Sequence, residues 1–207
     1  MFYGYDKEEL KQVTREQALH NPNWDMGAKV TVDSATLMNK GLEFIEAMRL
    51  FAIKPEQIEV VIHRQSILHS AVEFIDGSVI AQLGIPDMKI PIQYALTYPE
   101  RLDACDEVKR LSFSEIGSLT FTKPDEQVFP CLSAARKAAA TGNNACAVLN
   151  AANEAAVAAF LEGKIKFYEI PELVVGASEN VKANRSVTLQ TIYEDSQAAR
   201  EYVNSKL

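Results

Sequence analysis

The strongest constraint on this chain lies in its last third. Beyond Pro124 alanine becomes abundant, and apolar periodicity predicts helices over 131–141, 144–161, 171–183 and 192–203. Gly142 and Gly163 stand where the first two must stop, since glycine closes a helix in the left-handed conformation without steric cost. Four helices in this stretch bury their apolar faces against one another, which implies a small helical bundle. On the second of them Asn150, Asn153 and Glu154 form a polar cluster at i, i+3 and i+4 among Ala, Val and Leu. Buried amides that tie neighbouring helices together account for it without chemistry.

The earlier part reads as mixed α and β. Segments 59–63, 71–74 and 79–83 are rich in Val and Ile, and Asp76-Gly77 between the last two is a hairpin signal. Segment 29–32 reads as a short strand leading into a helix from Ser34 to about Phe51, which must end before Pro55. Thr14 is placed to cap a short helix over 14–19, and 92–96 is helix-like. Residues 98–123 have little periodicity apart from 119–121 and read as a linker that adds an edge strand. The class is α+β: a small mixed sheet with flanking helices, then a C-terminal four-helix bundle-like domain. The expected divisions are 1–97, 98–123 and 124–207.

Within the first division, the run Asp-Ser-Ala-Thr-Leu-Met-Asn-Lys-Gly-Leu-Glu-Phe-Ile-Glu at 33–46 bears most on chemistry. At about 100° per residue, Asn39, Lys40 and Glu43 share one arc of a helix, while Leu37, Phe44, Met48 and Phe51 form a separate apolar stripe. Asp33 and Ser34 fall at the expected amino end, where free N–H groups and the helix dipole favour an anion. An ordinary surface ion pair and an ordinary cap explain the same spacing. Gly41 tilts the balance, because an interior glycine costs roughly 1 kcal/mol relative to alanine. Its presence implies close approach by a ligand or another backbone.

Several function classes are disfavoured. A formal charge of -7 gives no electrostatic footprint for nucleic acid. No apolar run reaches the roughly 18 residues that span a bilayer, and the amino end lacks a secretory pattern, so no membrane association and a cytoplasmic location are expected. Cys105, Cys131 and Cys146 form no CxxC pair and read as core thiols, while His20, His63 and His69 lack zinc-ligand spacing. Around 21–27, Pro22 and Gly27 punctuate a loop carrying Trp24 and Met26. An exposed loop of this kind either closes on something apolar or anchors itself on the core. The polar segment 63–70 places His69 beside the hairpin, where a hydrogen-bonded structural role is the plainer reading.

Taken together, Asn-Pro-Asn-Trp-Asp-Met-Gly at 21–27, Val-Asp-Ser-Ala-Thr-Leu-Met-Asn-Lys-Gly-Leu-Glu at 32–43, Gln-Ser-Ile-Leu-His-Ser at 65–70 and Leu-Gly-Ile-Pro-Asp-Met at 83–88 resemble the 1-deoxy-D-xylulose 5-phosphate reductoisomerase family. Pro-Cys-Leu at 130–132 and Leu-Asn-Ala-Ala-Asn-Glu at 149–154 extend the likeness in family order. The resemblance implies an NADPH-dependent, Mg- or Mn-dependent conversion of 1-deoxy-D-xylulose 5-phosphate to 2-C-methyl-D-erythritol 4-phosphate in non-mevalonate isoprenoid biosynthesis, by a homodimer. It assigns Ser34, Asn39 and Lys40 to the substrate phosphate and Glu43 to the metal. Trp24 and Met26 match the lid, His69 an active-site histidine, and Pro86 and Met88 residues near nicotinamide and substrate.

Two departures stand out. The family lid reads His-Pro-x-Trp, whereas Asn21 precedes Pro22 here and His20 lies one position earlier. No G-x-G-x-x-G occurs, and the family's dinucleotide-binding domain with its further acidic metal ligands is not found within residues 1–207. The expectation is therefore a carboxyl-terminal portion that is inactive alone. The alternatives are a non-catalytic dimerisation module derived from such an enzyme, or a related oxidoreductase acting on another phosphorylated substrate.

Overall fold

The structure, a computed structural model, describes residues 1–103 and 108–207, so Cys105 lies outside the described residues. Short helices α1 (Lys7–Leu10) and α2 (Arg15–Ala18) open the chain, each started by a capping box: Asp6 with Glu9, and Thr14 with Gln17. Then come α3 (Ala28–Ala35), α4 (Met38–Leu50), a 3-10 turn at Pro55–Gln57, and strands β1 (Leu68–Glu73) and β2 (Val79–Leu83). Helices α5 (Lys89–Thr97) and α6 (Phe113–Ile116) precede α7 (Pro130–Thr141), α8 (Ala145–Leu161), α9 (Glu169–Asn180) and α10 (Leu189–Asn204). The α+β class stands, with a two-stranded antiparallel sheet among the described residues.

Two compact units are present. The first comprises Met1–Pro22, Met26–Val60 and Pro124–Leu207, and the second Asn23–Asp25 and Val61–Lys123. In the first, α8 is apolar nearly all round and is correspondingly central. Val148, Leu149, Ala152, Val157 and Phe160 are buried, as are Ile170 and Val174 of α9, Ala199 and Val203 of α10, and Cys131 and Ala135 of α7. Each large side chain so buried contributes about 1.5–3 kcal/mol. Gly142 caps α7 at φ 71, and Gly163, at φ 77, follows the end of α8, as the sequence predicts. A second cluster joins Phe44 of α4 to Val60, Leu132 and Ala139.

Two expectations around residue 34 are overturned. Segment 29–32 is not a strand but the body of α3. The β propensity of Val-Thr-Val yields to burial of Thr31, Val32 and Ala35, and the hydroxyls of Thr31 and Ser34 are satisfied inside the helix by the carbonyls of Gly27 (3.0 Å) and Val30 (2.8 Å). Asp33 and Ser34 thus end one helix instead of starting the next. The break falls at Leu37, which adopts φ 61 without being glycine, a conformation that costs about 1–2 kcal/mol. Phe51, expected in the apolar stripe, is 70% exposed because α4 ends before it.

In the second unit the hairpin pairs Val72 with Ile80 and Glu73 with Val79. Gly77 takes φ 83 in the connecting turn, where its N–H donates to the Phe74 carbonyl at 2.9 Å. β1 begins at Leu68, earlier than expected, so His69 and Ser70 lie within the strand. Segment 59–63 forms no strand; Ile62 makes a single antiparallel bridge to Thr122, beside the expected edge strand.

Candidate functional site

The first unit carries a polar cluster on the opening turns of α4. Asn39 Nδ2 donates to Glu43 Oε1 at 2.6 Å, and the Lys40 ammonium pairs with Glu43 Oε2. The Lys40 and Glu43 side chains are 42% and 44% exposed, so the pair faces water rather than the core. The helical arc expected from the sequence therefore exists. It sits at the start of α4, where helical N–H groups lack intrahelical partners and the dipole is positive, with no side-chain cap on Leu37. An ammonium, an amide donor and backbone N–H groups at such a terminus suit a dianionic oxygen group.

Ser34 is placed differently. It is half-buried in the last turn of α3, where its hydroxyl donates to the Val30 carbonyl at 2.8 Å. Contact with an anion would exchange that bond. Its neighbour Asp33 is deeply buried, with its side chain only 3% exposed, and accepts from Lys29 Nζ (2.6 Å) and from Asn153 Nδ2 of α8 (2.8 Å). Asn153 thus ties helices as expected, but its partner was not legible; the signal available was the acidic Asp33 set directly between Val32 and the Ser34-Ala35 end of α3. Asn150 donates to Glu154 at 3.2 Å, and Glu154 pairs with Arg200 at 2.8 Å.

The second unit assembles another group. The Trp24 indole N–H donates to Ser66 Oγ at 3.0 Å, and its ring meets that of His69 edge-on at 6.2 Å between centroids. His69 Nδ1 is 2.9 Å from the side-chain amide of Gln82. Trp24 is half-buried rather than exposed, because Ser66 and His69 receive its edge. Ser66, at φ 53, and Gln82 are participants the sequence did not reveal. Pro86 is half-buried and Met88, just before α5, is 55% exposed. Met26 belongs to the first unit, is half-buried, and accepts a hydroxyl bond from Thr31 through its carbonyl at 3.4 Å.

The remaining candidates are structural. His63 stacks on Phe121 at 4.7 Å with Nδ1 against the Thr120 carbonyl. Burial pushes the Cys131 thiol up to about 12, against an opposing bond from Thr36, and burial likewise raises Cys146; neither is poised as a nucleophile. Among the described residues no group of three or more His, Cys, Asp or Glu is gathered to hold a metal. Glu43 offers one exposed carboxylate. That donor suits a hard, oxygen-seeking ion, with the other positions filled from elsewhere.

Comparison with known proteins gives two family matches: residues 1–51 match the 1-deoxy-D-xylulose 5-phosphate reductoisomerase C-terminal domain, and 83–202 match the DXP reductoisomerase C-terminal domain. A 1-deoxy-D-xylulose 5-phosphate reductoisomerase from Bacillus subtilis is 56% identical over 206 residues, covering 100% of this chain and 54% of its own length. One from Endomicrobium trichonymphae is 54% identical over 201 residues, covering 97% and 51%. A crystal structure of DOX-P reductoisomerase with NADPH, fosmidomycin and magnesium is similar at a TM-score of 0.92 and 42% identity, over 99% of this chain and 52% of that one. The enzyme from Zymomonas mobilis in complex with NADPH is similar at 0.89 and 38%, over 99% and 52%. The chain spans about half the length of the curated relatives it matches.

Proposed function

We propose, from the premise that this chain belongs to the 1-deoxy-D-xylulose 5-phosphate reductoisomerase family, that it is the catalytic and helical portion of an enzyme converting 1-deoxy-D-xylulose 5-phosphate to 2-C-methyl-D-erythritol 4-phosphate. The observation that carries this reading is the convergence of Asn39 and Lys40 on Glu43 at the start of α4. Asn39, Lys40 and the adjacent N–H groups bind the substrate phosphate, joined by Ser34 once its hydroxyl turns from Val30. Fixing that dianion orients the reacting carbons and converts binding energy into positioning.

Glu43 is the residue of this chain that would hold Mg or Mn, which when bound supplies Lewis acidity to substrate oxygens. NADPH, when bound, would supply reducing power as hydride. In the second unit Trp24 excludes water from the substrate, and Met26, which belongs to the first unit, is a substrate contact. His69, its Nδ1 beside Gln82, offers Nε2 to a substrate oxygen, and Pro86 and Met88 are the residues that would contact the nicotinamide. Residues 1–97 would then carry the chemistry, 98–123 connect, and 124–207 support it. Because the chain spans half of its relatives, turnover by these 207 residues alone is expected to be negligible.

The same reading includes a homodimer in the cytoplasm. Val72, Phe74, Ile75, Val79 and Ile80 of the hairpin are exposed, a surface of the kind that partners cover. No helix among the described residues is long and apolar enough to cross a membrane. That hairpin also suits a non-catalytic dimerisation module, and one experiment separates the two readings. The chain is joined to the amino-terminal half of the Bacillus subtilis relative and assayed with 1-deoxy-D-xylulose 5-phosphate, NADPH and magnesium. Substrate-dependent NADPH oxidation supports the enzyme; a folded dimeric chimera without turnover supports the module.

A further inference from the structure

The bond between Asp33 and Asn153 leads beyond the two helices it joins. Asn153 is wholly buried on α8, its Nδ2 donates to Asp33 Oδ1 at 2.8 Å, and its Oδ1 is buried without a partner among the described residues. The amide is therefore oriented by that single bond, since flipping it would set oxygen against carboxylate. An apolar side chain would fill the same place and leave no orphan oxygen, so packing alone does not account for it. Lys29 holds the other carboxylate oxygen at 2.6 Å.

From Asp33 the bonds continue toward α4. The Asp33 carbonyl accepts from the Thr36 hydroxyl at 3.2 Å, and Thr36 Oγ1 accepts from the N–H of Met38, the first residue of α4, at 3.4 Å. Thr36 is buried, and Leu37 beside it holds φ 61. Such a backbone persists where its surroundings over-determine it. The route thus runs from α8 through Asp33 and Thr36 to the turn that carries Asn39 and Lys40.

We propose that Asn153 is a positioning residue for anion binding: acting through Asp33 and Thr36, it fixes how the first turn of α4 presents its donors to a phosphate-type group. This rests on the phosphate role given above to Asn39 and Lys40. The bundle then contributes to ligand affinity through a contact 120 residues away in sequence.

The test is a titration of the 207-residue chain with inorganic phosphate, read from the backbone amide shifts of Asn39 and Lys40 by NMR. Asn153→Ala is expected to raise the phosphate dissociation constant about five-fold, the lower range of coupling between sites. The exchanged pair Asp33→Asn with Asn153→Asp, which restores a donor facing a carboxylate, recovers most of that loss. A purely structural role would lower the melting temperature and leave the constant unchanged, and that result overturns the proposal. Lys40→Ala separates the two layers. If it weakens phosphate binding while Asn153→Ala does not, positioning fails and the phosphate site stands. If Lys40→Ala has no effect, or the parent chain shows no shifts, the phosphate site fails and the proposal goes with it. Should Asn153→Ala not fold, Thr36→Val cuts the same route at its later link with little change of shape. An unchanged constant in that variant overturns the proposal equally.

Discussion

Gly41 of α4 lies directly against Ala135 of α7: a Cβ built on the glycine would stand 2.6 Å from the alanine Cβ, with the Cys131 carbonyl at 3.5 Å. The close approach implied by an interior glycine is therefore that of another helix. Gly41→Ala should destabilise the first unit by roughly 1–3 kcal/mol through overpacking, outweighing the approximately 1 kcal/mol gained in helix propensity. Urea unfolding measures the balance, and a neutral or stabilised variant would show that α4 and α7 separate freely.

Glu43→Gln and Lys40→Ala should act on function without acting on the fold. Their exposed ion pair contributes only about 0–1 kcal/mol, so melting temperatures should barely move. In the chimera, Glu43→Gln should abolish metal-dependent turnover, while Lys40→Ala should chiefly raise the KM for the phosphorylated substrate. Retained turnover in the first variant would remove Glu43 from the metal site.

Asp195, buried on α10, accepts from Asn144 Nδ2 (2.8 Å), the Asn184 backbone N–H (2.8 Å) and Asn184 Nδ2 (2.6 Å). Asp195→Ala removes the acceptor these donors share; Asn144 Nδ2 keeps Thr191 Oγ1 at 3.1 Å and Asn184 is exposed, so the cost should be about 1–3 kcal/mol. Calorimetry of the variant checks this, and a loss below about 1 kcal/mol would mean that water replaces the carboxylate.

Cys131 links stability to alkaline pH. Unfolded, its thiol ionises near the ordinary value of 9.0, whereas burial holds it protonated in the fold to about 12. Between those limits the unfolded chain binds fewer protons, so stability is intact below pH 9 and falls as pH rises toward 12, by about 1.4 kcal/mol per pH unit at most. Cys131→Ala should flatten that slope in denaturant titrations run at successive pH values. An unaltered slope would assign it to other groups.

The legible parts of the molecule were those with local causes. The ends of α7 and α8 follow from Gly142 and Gly163, the start of α2 from Thr14, and the hairpin from Asp76-Gly77. The grouping of Asn39, Lys40 and Glu43 needed only helical spacing. What escaped depended on distant partners. Val30-Thr31-Val32 becomes helical because α3 is buried, and Leu37 adopts a left-handed backbone that no residue type announces. Ser66 and Gln82 matter only because folding brings Trp24 and His69 to them.

The 120-residue interval between Asp33 and Asn153 has a consequence during synthesis. At roughly 5–20 residues per second, α8 emerges about 6–24 s after the helix it must meet. Throughout that delay the Asp33 carboxylate stays in water with Lys29 as its available local partner, and the α3–α4 bend lacks its anchor. Completion of the α3–α4 turn therefore waits for the ribosome to reach the bundle, and a chain released before α8 would leave that turn without the Asn153 bond.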